Sequence, residues 1–180
     1  MYKMSGETHV GLIRQSNEDS YIYVNYPWSN AAMAGVADGM GGHEFGEVAS
    51  FLVMKYLLQA WNSLAFGATQ PFASQKDVIE FIEGALSRAN EHIYHVNREL
   101  KIRWCMGTTV TLGIFFQRKV VIAQVGDSRC YRVRRRQLKQ LTVDQNWREE
   151  MVKNRVMTPR EAACHPLSNM LTNCAGALKA

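Results

Sequence analysis

Residues 31–42 read Ala-Ala-Met-Ala-Gly-Val-Ala-Asp-Gly-Met-Gly-Gly, and the change of pattern inside this stretch decides the fold class. Residues 31–37 are an apolar run of strand length. The run breaks at Asp38-Gly39-Met40-Gly41-Gly42, where Asp and Gly supply turn chemistry. A helical period follows. Ala49, Leu52, Val53, Tyr56, Leu57, Ala60, Trp61 and Leu64 recur every three or four residues and form one apolar face. After an expected loop at 65–75, Val78, Phe81, Ile82, Ala85, Leu86, Ala89, Ile93, Val96 and Leu100 repeat that pattern. Two long amphipathic helices joined this closely should pack antiparallel.

On the N-terminal side, residues 8–13 and 20–26 read as short strands separated by the polar stretch Arg14–Asp19. On the C-terminal side, residues 107–116 and 119–126 are β-rich and joined by Gln117-Arg118. Cys130–Val133 and Gln137–Leu141 flank Arg134-Arg135-Arg136 and read as another hairpin. From Asp144 onward the pattern is short-helical, with Pro159 at a first helical position. Strands, then helices, then strands argue an α+β fold in which sheet is covered by a helix pair.

Composition narrows the class further. Hydrophobic residues at 47% and charged residues at 21% are globular values, which argues against disorder or a disulfide scaffold. No repeat or linker interrupts the 180 residues, so a single domain is expected. No run of about eighteen apolar residues is present, no apolar leader opens the chain, and a cytoplasmic protein without membrane contact is expected. Cys105, Cys130, Cys164 and Cys174 lack zinc spacing and read as reduced thiols. The helical pair His92 and His95 reads as structural.

Charge is unevenly spread. Residues 1–97 hold 5 Lys/Arg against 10 Asp/Glu, whereas residues 98–180 hold 16 against 6. The densest basic stretch, Arg132-Val133-Arg134-Arg135-Arg136 with Lys139, could track a nucleic-acid backbone or attract phosphorylated substrates. Nucleic acid is not the expected partner.

Acidic residues gather where strands stop: Asn17-Glu18-Asp19, Asp38 and Asp127. Hard divalent cations take carboxylates, carbonyls and waters, so these positions are candidates for an Mg²⁺ or Mn²⁺ site. Taken singly, Asp-Gly is most often a turn, and Arg14 a surface charge. Their ordered combination is more specific. Gly-Leu-Ile-Arg-Gln-Ser-Asn-Glu-Asp-Ser (11–20), Val-Ala-Asp-Gly-Met-Gly-Gly (36–42), Gly-Thr-Thr-Val-Thr-Leu (107–112), Val-Gly-Asp-Ser-Arg-Cys-Tyr-Arg-Val-Arg (125–134) and Leu-Thr-Val-Asp-Gln-Asn-Trp (141–147) occur in that order. This series resembles the PPM family, the metal-dependent type-2C Ser/Thr protein phosphatases, in its bacterial branch.

The resemblance implies a β-sandwich flanked by antiparallel helix pairs (α-β-β-α). It implies hydrolysis of phosphoserine or phosphothreonine in proteins by a metal-activated water, without a covalent enzyme intermediate. Two Mn²⁺ or Mg²⁺ ions are implied, with a third in some bacterial members. Asp38 would bridge two ions and the Gly39 carbonyl would ligate one. Glu18 would ligate or orient, with Asp19 close by, and Asp127 would serve the third site. Arg14 would bind the substrate phosphate, so that Arg14, Glu18 and Asp38 form the catalytic set. Residues 144–166 would be a flap over the site. A phosphorylated protein linked to a Ser/Thr kinase is the implied partner.

Four departures qualify the match. Met40 replaces a His common in eukaryotic members. Arg155 stands where the family usually has Gly. Leu171-Thr172-Asn173-Cys174-Ala175-Gly176 replaces Leu-Thr-Arg-Ala-Leu-Gly. Members also continue past this point with further ligand aspartates, so residues 1–180 are expected to be the N-terminal portion of one catalytic domain, incomplete at its C-terminal end. Unpaired sheet edges would then favour self-association. A phosphatase-like regulatory or binding module without catalysis is the alternative.

Overall fold

A computed structural model describes residues 2–26, 30–41, 45–64, 71–101 and 105–176. Gly42 and residues 65–70 of the expected loop lie outside the described residues. The chain runs β1 (Asp19–Asn25), β2 (Ala32–Met40), α1 (Gly46–Leu64), α2 (Gln75–Glu99), β3 (Gly107–Thr108), β4 (Val110–Phe116), β5 (Lys119–Val125), β6 (Tyr131–Arg134), β7 (Gln137–Gln140), α3 (Trp147–Lys153) and α4 (Pro159–Cys164).

One antiparallel sheet has the order β1-β2-β4-β5, with β3 pairing onto the end of β2. Strand period 2 gives it two different faces. Met33, Ala37, Val110, Leu112, Ile114 and Phe116 are buried on one face and pack with Ala49, Val53, Leu57 and Trp61 of α1 and Val78, Ile82, Ala85, Ala89 and Ile93 of α2. Trp61, near the end of α1, meets Phe81 near the start of α2, whereas Tyr56 meets His92 further along. The helices therefore run antiparallel, as their spacing predicts. Ser74 and Asp77 form a capping box that sets the α2 start.

The opposite face is open only in part among the described residues: the N-terminal segment crosses it, with Tyr2 against Phe115 (5.0 Å between rings) and Gly6 against the Tyr21 ring. Tyr21, Tyr23, Val36 and Val120 are exposed there, and the Tyr21 and Tyr23 rings stack at 6.1 Å. This helix-pair-on-sheet arrangement is a mixed helix and antiparallel sheet fold, without a closed barrel among the described residues. β1 and β5 are its edges.

Two local expectations are corrected. Residues 8–13 form no strand: they are irregular, turn at Gly11 (φ 78°), and leave Leu12 and Ile13 exposed. The apolar pattern was present there, but no neighbouring strand pairs with it. The break at Asp38 is also not a turn. β2 continues through Gly39 and Met40, because those residues find partners in Thr108 and Gly107 of β3.

The C-terminal part is fastened to this layer by backbone pairing. Thr108 and Ala175 exchange two hydrogen bonds of 3.0 and 2.9 Å. Buried Asn97 donates to the carbonyls of Met106 and Gly176, and accepts from the Met106 N–H. Pro159 does start α4, capped by Thr158 and Glu161.

Arg155 follows α3 with φ 58°. Its N–H reaches the Val152 carbonyl and the Val156 N–H reaches Met151, a Schellman ending whose left-handed position suits glycine. An L side chain there is strained by about 1–2 kcal/mol, partly offset by the greater freedom of glycine when unfolded. Arg155→Gly should therefore raise the denaturant midpoint, corresponding to about 1 kcal/mol of added stability. An unchanged or lower midpoint would contradict this account.

Candidate metal centre

The antiparallel register of β1 and β2 sets Asp19 directly opposite Asp38. Both side chains lie on the open face of the sheet, beside a concavity of about 230 Å³ lined by Glu7, Thr8, Asp19, Tyr21, Val36, Asp38 and Ser128 among others. As register partners on the same face, the two carboxyls are close enough to influence each other. Partial burial pushes the Asp38 carboxyl above its ordinary range, and the negative charges of Asp19, Asp127 and Glu18 push it further. Four of the predicted ligand side chains thus share one electrostatic neighbourhood.

The backbone around Asp38 is held from three sides. Its N–H donates to Thr109 Oγ1 (3.0 Å), and its carbonyl accepts from Thr108 Oγ1 (3.0 Å) and the Thr109 N–H (2.9 Å). Thr109 Oγ1 is in turn 2.7 Å from Ser128 Oγ, whose own carbonyl accepts from Thr111 Oγ1 at 2.6 Å. These residues connect Asp38 to the segment carrying Asp127. Neither the threonines of Gly-Thr-Thr-Val-Thr-Leu nor Ser128 is among the site residues that the sequence predicts.

Glu18 is fixed differently. Its carbonyl accepts from the Gly39 N–H (3.0 Å) and from Ser50 Oγ (2.7 Å). Its carboxylate lies against Gly46, so close that a Cβ there would come 2.8 Å from Glu18 Cδ. Gly46 opens α1, and the positive end of a helix favours an adjacent carboxylate. Asn17 Oδ1 accepts from the Asp19 N–H, which orients the start of β1.

Arg14 is the predicted residue that does not join the group. It lies in the exposed segment before β1 and is not among the residues lining the concavity. The other four side chains and Gly39 stand at or beside one sheet end.

All candidate donors are oxygens, the chemistry of a hard cation, and the crowded charge on Asp38 lacks a compensating cation among the described residues. Mg²⁺ commonly takes only one or two carboxylates and keeps several waters. Asp38 with Asp19, supplemented by the Gly39 carbonyl, fits that requirement. Among the described residues, no group of three or more His, Cys, Asp or Glu side chains is placed to hold a metal ion by itself.

The family model described as Protein phosphatase 2C matches residues 9–170. Serine/threonine phosphatase stp of Listeria monocytogenes is 33% identical over 171 residues, covering 94% of this chain and 65% of that protein. Protein phosphatase PhpP of Streptococcus pneumoniae is 32% identical with the same coverage. The chain therefore spans just under two thirds of the length of these curated relatives. Among solved structures, the S. agalactiae serine/threonine phosphatase superposes with a TM-score of 0.84 at 28% identity, over 96% of this chain and 68% of that one.

Proposed function

We propose that this chain, which belongs to the protein phosphatase 2C family, forms part of a single catalytic domain that hydrolyses phosphoserine or phosphothreonine in proteins. The observation that carries this reading is the register that sets Asp19 opposite Asp38 beside one concavity, with Asp127 and Glu18 in the same electrostatic neighbourhood. Asp38, Glu18, Asp19, Asp127 and the Gly39 carbonyl would hold two or three Mn²⁺ or Mg²⁺ ions. Such ions, when bound, supply a nucleophilic hydroxide from water at neutral pH and offset phosphoryl charge.

The chain's own groups have complementary tasks. Asp38 orients its carboxylate from a backbone locked by Thr108 and Thr109, which limits reorganisation during the reaction. Glu18 contributes a second carboxylate whose position is set by α1 and Ser50. Arg14 would engage the phosphate by movement of its exposed segment, because its planar fork suits phosphoryl oxygens. No cysteine is demanded as nucleophile. The substrate is read as a cytoplasmic phosphoprotein made by a Ser/Thr kinase. No described helix is long and apolar enough to cross a membrane.

That no three such side chains among the described residues are placed to hold a metal ion favours one second reading, a non-catalytic phosphoprotein-binding module. Turnover of a phosphothreonine peptide with and without Mn²⁺ separates them. Release of phosphate that requires Mn²⁺ supports the enzyme. Peptide binding without phosphate release supports the module.

A further inference from the structure

The β6–β7 hairpin carries five cations and no acid. Register pairs Arg132 with Lys139 and Arg134 with Gln137, which places Arg132, Arg134 and Lys139 on one face. Like charges directly opposite each other are unfavourable in an isolated ribbon. The turn adds Arg135 and Arg136 with φ of 50° and 63°. Both positions of such a turn favour Asn or Gly, so arginine at each is a costly choice for the fold. All five side chains belong to exposed residues, and none enters an ion pair among the described residues. An open concavity of about 830 Å³ lies among Arg132, Arg134, Arg135, Gln137 and Lys139.

This ribbon is rigidly coupled to the metal-centre wall. Arg129 grips the nearly buried Asp144 carboxylate through Nε (2.9 Å) and Nη2 (2.6 Å). Cys130 is held by Thr142 Oγ1 (3.0 Å) and by the Leu141 N–H (2.8 Å). Immediately before them, Ser128 lines the concavity containing Asp38 and contacts Thr109. Chain geometry limits Arg132 to within about 14 Å of Ser128, and Arg134 to within about 21 Å.

We propose that the basic face of the β6–β7 hairpin is a docking surface for acidic residues four to six positions from the phosphorylated residue of a protein substrate. The substrate class rests on the phosphatase reading above, whereas the acidic docking rests on the hairpin alone. An extended peptide advances at the same rate per residue as the β6 strand, so its carboxylates would reach the cations while its phosphate approaches Asp38. A nucleic-acid backbone running from the ribbon toward Ser128 would instead bring repeated phosphates against Asp19, Asp38 and Asp127. Charge complementarity therefore favours a peptide with one phosphate and a separate acidic run.

The test is fluorescence anisotropy on the full chain with four labelled probes of equal length. These are a phosphothreonine peptide with Glu at four to six positions on both sides, the same peptide with Ser there, the unphosphorylated Glu peptide, and a single-stranded oligonucleotide. Exposed ion pairs are individually weak, so three together should tighten binding of the Glu-flanked phosphopeptide about tenfold over the Ser-flanked one at low salt. Arg132→Glu/Arg134→Glu/Lys139→Glu should remove that preference and leave affinity for the Ser-flanked peptide and the melting temperature unchanged. Arg132→Gln/Arg134→Gln/Lys139→Gln should give the same loss without introducing repulsion. Equal affinity for Glu- and Ser-flanked peptides would overturn the proposal, as would tighter binding of the oligonucleotide than of either Glu peptide. A Glu preference retained in a chain that releases no phosphate would uphold the docking surface and reject only the enzymatic reading.

Discussion

Asp38→Asn is expected to abolish Mn²⁺-dependent phosphate release while making the metal-free chain more resistant to heat. The two effects share one cause. Asp38 sits partly buried among Asp19, Asp127 and Glu18, and its carboxyl is held above the ordinary range. A carboxyl raised in the folded state contributes stability below its unfolded range, and that contribution is lost as pH rises through the folded value. At neutral pH the folded chain therefore carries a repulsion that asparagine lacks. The melting temperature of metal-free Asp38→Asn should exceed that of the parent at pH 7, and the advantage should shrink as pH falls. Titrating Mn²⁺ should raise the parent's melting temperature and leave the variant nearly unmoved, because cation binding stabilises only the state that binds it. Loss of even a supporting partner of a ligand costs about 10–100-fold, so loss of the central carboxylate should cost more than about 100-fold in turnover. A variant that melts lower without metal, or retains the Mn²⁺ shift, would remove Asp38 from the centre of the site.

Periodicity carried the helical layer well. The apolar faces of α1 and α2 are the residues that sequence spacing selects, since helix burial repeats locally every three or four positions. The exceptions are Leu100, which caps α2 and is exposed, and Met54, which joins the core off the expected stripe. The β4–β5 and β6–β7 hairpins were legible for a similar reason: each pairs with its immediate neighbour. Long-range partners were not legible. Residues 8–13 look like a short strand but find no partner, whereas Gly39 and Met40 look like a turn and are drawn into the sheet by β3, almost seventy residues later.

The carboxylates of the site stood out by chemistry, but their support did not. Thr109, Ser128 and Ser50 act through hydroxyls that bond to backbone or to each other, and nothing in the local sequence of Ser128 or Ser50 separates them from ordinary surface polar residues. The repeated threonines at Thr108, Thr109 and Thr111, all buried, were the available signal: small polar side chains inside a strand demand partners. Arg155 was detectable only by comparison with the family pattern, and its positive φ supplies the physical reason for the glycine usual there.

Gly39→Ala tests the other half of the site, the backbone that brings Asp38 and Glu18 together. Its N–H donates to the Glu18 carbonyl, and its neighbour Asp38 is bonded to Thr108 and Thr109. A Cβ at position 39 would collide with the Gly46 carbonyl at the start of α1 and would come 2.6 Å from the Glu18 oxygen. Both obstacles are backbone, so neither can rotate away as a side chain could. Relief requires separating β2 from α1, or the Glu18 segment from β2. Overpacking against movable side chains costs about 1–3 kcal/mol, and immovable neighbours place this substitution at about 3 kcal/mol or more. At this chain length that corresponds to a fall in melting temperature of roughly 6–12 °C. Gly35→Ala is the matched control in the same strand: its nearest neighbour is the flexible end of Leu112, at 2.9 Å. It should lose far less stability and keep the Mn²⁺ shift. Equal losses at the two positions would mean that the strand tolerates no side chain at either, and that the approach of Gly39 to α1 has no special part in building the acidic site.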